Sequence, residues 1–344
     1  MPFRDVIGHR RVVGLLARSV HRGTLPPSLI FAGPAGVGKR LLALATAQAL
    51  NCAAPRIGAP SADVLEPSID IDGCGTCPSC TRIARGVHPD VLVVGPGDSG
   101  SIKIDQVRDI VDRAAYRPFE GRRRAVIIDE ADALVPAAQN ALLKTLEEPP
   151  SGSVFMLVTT RPDALLATVR SRCPQLRFRP LGPDDVAAVL VKRGRSEAEA
   201  RSVAATADGS VGRALAAKAE ELVDARDVAA RVLAHAAASD DPRRRIEGAK
   251  ELLARTGAGG AGDRDQLAAH LRAMASLLRD VELLSTRADD RALANADLRP
   301  AIGRLSGYEG ERGIRAFTAV DQALVALERN AGVKIVADWL MLQL

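Results

Sequence analysis

Leu29-Ile30-Phe31-Ala32-Gly33-Pro34-Ala35-Gly36-Val37-Gly38-Lys39-Arg40 is the stretch on which the rest of the chain turns. An apolar run of strand type breaks into a glycine-rich turn, and a helical pattern follows from Leu41 to Leu50. In such a strand–turn–helix, backbone N–H groups and a helix N-terminus cradle phosphate oxygens while a lysine reaches the outer phosphates. Gly33, Gly38 and Lys39 supply the G-x-x-x-x-G-K spacing of this P-loop, and Gly36 lies inside it. The following position is Arg40, where the motif has a Ser or Thr hydroxyl for Mg²⁺. Arg40 removes that ligand and sets a cation beside the metal position. Backbone amides and Lys39 still suit ATP or ADP, so occupancy by nucleotide stays open while efficient hydrolysis is not expected.

Working outward, Val12, Leu15, Leu16 and Val20 recur at helical spacing and predict an amphipathic helix over residues 7 to 21. Beyond the P-loop helix, strands are predicted at Val91 to Val94, Ala125 to Ile128, Val154 to Val158 and Gln175 to Phe178. Helices are predicted from Asp105 to Ala115 and through Asn140 to Glu148, the second stopped by Pro149-Pro150. Alternating strands and helices imply a parallel, doubly wound sheet with its ligand site at the strand C-termini. The second strand ends in Asp129-Glu130-Ala131-Asp132. There Asp129 and Glu130 are the expected metal-holding and water-polarising carboxylates of a P-loop site.

Five cysteines occur, and Cys52, Cys74, Cys77 and Cys80 fall within one Pro/Gly/Ala-rich insertion. Cys-x2-Cys-x2-Cys with one more thiol upstream offers four soft ligands for tetrahedral Zn²⁺. Such a closed shell leaves no open coordination position, so the expected role is structural. Cys173 stands apart and is expected to be buried.

From Leu181 onward strand signals vanish. Val186, Val189 and Leu190 mark one helix; Leu267, Leu271, Met274, Leu278 and Val281 form a long apolar stripe, as do Phe317, Val320, Leu324 and Leu327. A loop at Gly257 to Gly262 separates helices. A length of 344 residues suggests two or three domains. No apolar run approaches the ~18 residues of a membrane span, and Met1-Pro-Phe-Arg-Asp5 lacks the start of a signal peptide, so a cytoplasmic protein without membrane partners is expected. The net charge of +5 is mild, and an aromatic content of 3% argues against a stand-alone binder that stacks nucleic-acid bases.

The P-loop, the Asp129-Glu130-Ala131-Asp132 turn, Asn140-Ala-Leu-Leu-Lys-Thr-Leu-Glu-Glu-Pro-Pro150 and Ser171-Arg172-Cys173 occur in this order. Together they resemble the clamp-loader branch of the AAA+ ATPases, and the cysteine knuckle narrows the resemblance to bacterial clamp loaders. It covers residues 1 to about 215, with Leu327-Glu-Arg-Asn330 and the last helix resembling the family's collar. The resemblance implies an α/β AAA+ P-loop domain over 1–179 with a zinc module at about 52–88. A helical lid over 180–221 and an all-α collar for oligomerisation over 222–344 would follow.

It also implies a hetero-pentamer with γ/τ and δ subunits that uses ATP to load the β sliding clamp onto primed DNA in the DNA polymerase III holoenzyme. Arg40 and the length match the non-motor δ′ type, with no ATPase expected of the chain alone; an active motor of γ/τ type is the alternative. By the same resemblance Arg172 is an arginine finger acting on a neighbour's ATP, Thr160 takes the sensor-1 position and Arg213 the sensor-2 position. Asn140 to Glu148 face the DNA-lined chamber or are structural.

Overall fold

The computed structural model describes residues 1–58, 69–97, 99–207, 209–216, 219–238, 241–253, 261–286, 293, 295, 298–328 and 331–344. Part of the expected zinc module (59–68), most of the Gly257 to Gly262 loop, and Arg329 and Asn330 lie outside these residues. The described chain divides into two compact units, Met1–Leu181 and Gly182–Leu344.

The first unit contains helix α1 (Arg10–His21), strand β1 (Ser28–Ala32) and helix α2 (Lys39–Asn51). The insertion follows, with a short hairpin of β2 (Arg56–Ile57) and β3 (Ile71–Asp72), then helix α3 (Pro78–Ala84). Next come β4 (Val91–Val94), α4 (Ile104–Ala115), β5 (Arg124–Ile128), α5 (Pro136–Glu147), β6 (Ser153–Thr159), α6 (Ala167–Arg170) and β7 (Gln175–Arg177). Five strands make one sheet in the order β4-β5-β6-β1-β7, every pair parallel.

Alternation along the strands splits the core in two. Leu29, Phe31, Ala125, Ile127 and Met156 point to the face covered by α1 and α2. Ile30, Ala32, Val126, Ile128, Phe155 and Leu157 point to the face covered by α4 and α5. A sheet buried on both faces explains why its strands read as unbroken apolar runs.

Two features depart from the periodicity. Helix α1 starts at Arg10 because His9 adopts a left-handed backbone with φ of 49°. Its buried face carries Val13, Gly14, Leu16 and Ala17, leaving Leu15 52% exposed. The hairpin of β2 and β3, two residues a strand, is too short to register as a pattern.

The second unit is helical throughout its described residues: α7 (Pro183–Lys192), α8 (Glu197–Thr206), α9 (Val211–Ala216), α10 (Ala219–Ala238), α11 (Pro242–Leu253), α12 (Ala261–Ser285), α13 (Arg299–Gly303), α14 (Glu311–Glu328) and α15 (Val333–Gln343). The predicted stripe Leu267, Leu271, Met274, Leu278 and Val281 is wholly buried on α12. On α14, Val320 and Leu327 are buried, whereas Phe317 is 43% exposed and lies off the stripe. The smaller Ala316, Ala319 and Ala323 fill that face instead. The Ser276 hydroxyl on α12 donates to the Ala205 carbonyl of α8 at 3.3 Å, and the fully buried Tyr308 donates to the Leu233 carbonyl of α10 at 3.2 Å.

Candidate nucleotide site and metal centre

Strand β1 delivers the chain to the P-loop, whose glycines meet specific demands. A Cβ on Gly33 would lie 2.3 Å from the Phe178 carbonyl oxygen, so no side chain fits there. Gly36 and Gly38 have φ of 73° and 99°, left-handed conformations that glycine takes at little cost, and Gly38 caps α2. The loop is braced from two sides. The Gly33 N–H donates to the Thr159 carbonyl at 3.2 Å, and His9 Nε2 lies 2.9 Å from the Val37 carbonyl oxygen. His9 also packs edge-on against Phe178, ring centroids 4.9 Å apart.

Lys39, 6% exposed, folds back into the loop, donating from Nζ to the Gly33 and Pro34 carbonyls at 2.7 and 2.6 Å. Burial lowers its pKa, and the negative charges of Asp132 and Asp129 offset part of that effect. Arg40 meets the acidic turn directly: its guanidinium lies 3.3 Å from Asp129 Oδ2. The cation at the hydroxyl's usual position is thus paired with the carboxylate that would hold a metal.

Glu130 is exposed and takes a left-handed backbone with φ of 51°, a strained conformation for a residue with a Cβ. The adjacent Asp132 gathers the end of β6. Thr159 Oγ1 and the Thr160 N–H donate to its Oδ1 at 2.8 and 3.1 Å; Thr160 Oγ1 and Arg161 Nε donate to its Oδ2, both at 3.2 Å. Burial opposes ionisation of this carboxyl, but the donors prevail and its pKa is lowered.

Gly33, Gly36, Gly38, Asp129, Glu130 and Thr160 therefore belong to loops at the C-terminal end of the sheet, and Lys39 and Arg40 to the first turn of α2 there. Arg172 does not. Its carbonyl accepts from the Ser28 hydroxyl at 3.2 Å, beside the start of β1, whereas the P-loop follows the strand's end. Five residues of strand, about 17 Å, separate the two levels. The Arg172 guanidinium, 32% exposed, pairs with Glu147 at the end of α5 and donates to the Thr168 carbonyl at 2.7 Å. Arg213 lies on α9 of the second unit, its N–H 3.3 Å from the Ser210 hydroxyl. His9, Asp132, Arg161 and Glu147 are contributors that sequence spacing did not single out as site residues. Asp132 and Glu147 were quoted within motifs, without a role of their own.

The four cysteines converge. Their sulfurs lie within 4.8 Å of one another, with Cys52 and Cys77 at 3.9 Å. A tetrahedral Zn²⁺ with ~2.3 Å bonds places its sulfurs about 3.8 Å apart, so the donor set and the spacing fit. Cys52 caps the end of α2 and Cys77 caps α3, and Cys52 and Cys80 are buried. Backbone N–H groups point at the sulfurs: Cys74 N to Cys52 Sγ and Cys77 N to Cys74 Sγ, both 3.2 Å. The Cys77 N–H is the main cause that brings the Cys74 thiol down to about 6, near the thiolate range a metal needs.

The knuckle is anchored as a unit. Arg4 donates to the Gly73 and Cys74 carbonyls, both at 2.8 Å, and to Asp72 Oδ2 at 2.8 Å. The Gln48 side chain donates to the Cys80 carbonyl at 2.8 Å. The centre sits one helix length, about 20 Å, from the P-loop, which suits a structural ion and no role in phosphate chemistry.

The profile described as "DNA polymerase III, delta subunit" matches residues 8–182, more than half of the chain. The DNA polymerase III subunit γ/τ of Mycobacterium tuberculosis (strain H37Rv) is 35% identical over 190 residues, 55% of this chain and 31% of that protein. The DNA polymerase III subunit δ′ of Pseudomonas aeruginosa is 39% identical over 144 residues, 42% of this chain and 40% of that protein. A solved γ-subunit-related protein from Thermotoga maritima is 18% identical with a TM-score of 0.43, covering 95% of this chain and 96% of its own. The matched stretches span less than half the length of these curated relatives. No helix among the described residues is long and apolar enough to cross a membrane. With its P-loop, acidic turn and parallel sheet inside the matched residues, the chain belongs to the DNA polymerase III delta-subunit family.

Proposed function

We propose that this chain is the δ′ subunit of a bacterial clamp loader, a non-motor member of an AAA+ ring with γ/τ and δ subunits. In that ring it helps load the β sliding clamp onto primed DNA at the expense of ATP bound by its neighbours. One observation carries the reading: Arg172 stands at the opposite end of β1 from the P-loop, out of reach of a phosphate held there. A guanidinium so placed suits a site outside its own sheet better than one at its own P-loop. Glu147 and the Thr168 carbonyl hold it at the surface, where a neighbour's triphosphate would outbid a half-exposed carboxylate.

The Arg40–Asp129 pair supports the non-motor part. A motor needs Asp129 for its metal, and in this chain that carboxylate faces an arginine. The four cysteines hold a structural Zn²⁺ in this reading, and Thr160 and Arg213 are residual nucleotide contacts.

The test is reconstitution of the complex with γ/τ and δ subunits. Arg172→Ala should leave ring assembly by size exclusion unchanged and reduce clamp-stimulated ATP turnover by about tenfold or more, as arginine fingers do. Arg172→Lys should not rescue it, because an ammonium lacks the planar fork. Unchanged turnover with Arg172→Ala would remove the finger, and brisk Mg²⁺-dependent hydrolysis by the isolated chain, lost with Lys39→Ala, would replace δ′ with a motor.

A further inference from the structure

We propose that the P-loop of this chain takes a nucleoside di- or triphosphate without a divalent cation, the Arg40 guanidinium standing where that cation would. The inference rests on reading this loop as a nucleotide site, and not on the δ′ assignment.

A divalent ion at a P-loop needs an oxygen from the residue after the lysine and a carboxylate from the acidic turn. This chain lacks the first, and its Asp129 carboxylate already faces a guanidinium. Arg40 carries N–H donors and no acceptor, and it lies 3.3 Å from Asp129 Oδ2. Asp129 is itself fixed, its N–H donating to the Val94 carbonyl at 2.8 Å, so the pair is built from two anchored backbones. The other nearby charges do not change the balance. Asp132 is taken up by Thr159, Thr160 and Arg161, and the Glu130 side chain is exposed.

What remains toward the loop is cationic. Lys39 is buried and engages two loop carbonyls that a phosphate oxygen would displace. Arg40 is 59% exposed, so it can pivot from Asp129 toward a β-phosphate while keeping one N–H on the carboxylate. A planar guanidinium grips two phosphate oxygens at once, and the N-terminus of α2 adds its dipole. The protein's own cations take the place of the metal in offsetting the phosphate charge.

The experiment is calorimetric titration of the full chain with ADP and with ATP, in EDTA and in MgCl₂. For the wild type the two dissociation constants should agree within about threefold. Arg40→Thr, which restores the hydroxyl and releases Asp129, should bind about tenfold or more tightly with Mg²⁺ than with EDTA. Arg40→Met, which removes the cation and supplies no ligand, should weaken binding in EDTA by about tenfold, with an unchanged circular dichroism spectrum as the folding control. Wild-type binding that requires Mg²⁺ would overturn the inference and leave the nucleotide reading intact. Absence of binding in both buffers would overturn both, and the Arg172 test in the reconstituted ring would still stand or fall by itself.

Discussion

Asp90 is fully buried at the start of β4, and each of its oxygens is occupied. Oδ1 accepts from the Phe119 N–H at 2.7 Å and from Arg124 at 2.9 Å; Oδ2 accepts from the Glu120 and Gly121 N–H groups at 2.9 and 2.8 Å. Burial pushes its pKa up, but these donors prevail and bring it down to about 2. The folded pKa lies below that of an unfolded aspartate, so its stabilisation is complete above about pH 4 and is lost as pH falls through the folded value; at neutral pH it amounts to about 2.5 kcal/mol. Asp90→Asn should cost about 3 kcal/mol, because Arg124 is left buried without its counter-charge. Urea melts at pH 7 should show the loss, and the gap between variant and wild type should narrow toward pH 2. A gap independent of pH would mean that shape, not charge, is what the site supplies. Nothing in His88-Pro89-Asp90 announced this role, since the donors come from a loop about thirty residues later. The same holds for Arg40 and Asp129: the sequence marks Arg40 as out of place, but only folding reveals its partner. The loop geometry of Gly33, Gly38 and Lys39 was legible because they fall at fixed spacing along one continuous segment.

Elements were more readable than residues where burial is two-sided. β4, β5 and β6 are apolar runs bounded by charged or proline-rich turns, and observed ends differ from expected ones by a residue at most. Where burial is one-sided the pattern misleads, as the exposed Leu15 on α1 shows. The cysteine knuckle lies between these cases. The convergence of its four cysteines was legible from spacing, but its anchoring through Arg4, Asp72 and Gln48 was not, because those residues come from three separate segments. The anchoring has a consequence for metal removal. If one Zn²⁺ holds Cys52 at the end of α2 to the Cys74 turn, Cys77→Ser should abolish the single equivalent of zinc found by elemental analysis and expose the insertion to protease. The P-loop end of α2 is about 20 Å away and should be spared, so nucleotide titration of the variant should be nearly unchanged. Full zinc retention in Cys77→Ser, or a collapse of nucleotide binding with it, would contradict this division of labour.

At the scale of the molecule, two separate cores replace one. The sheet unit buries its apolar residues on the two faces of β1, β5 and β6, while the helical unit closes its own core around α10, α12, α14 and α15. The sequence foresaw the change from alternating to all-helical composition near Leu181, since strand signals stop there. It could not foresee that α8 would be tied to α12, a link made by the Ser276 hydroxyl and the Ala205 carbonyl, residues that carry no pattern. Units with independent cores need not unfold together. Scanning calorimetry of the full chain should therefore give a calorimetric enthalpy larger than the van't Hoff value, with two component transitions. The cysteines, the P-loop and Asp90 all belong to Met1–Leu181. A chelator, or acid approaching the Asp90 range, should lower the midpoint of one transition and leave the other in place; ADP should raise that same midpoint, by RT ln(1 + [L]/Kd) evaluated at the melting temperature. If nucleotide and metal bind as proposed, ligand, metal and proton act on residues of one unit, and all three should move the same peak. If one sharp two-state transition responded to every agent, the two cores would have to be energetically one; if the chelator and ADP moved different peaks, the placement of metal knuckle and phosphate loop in one unit would lose its basis.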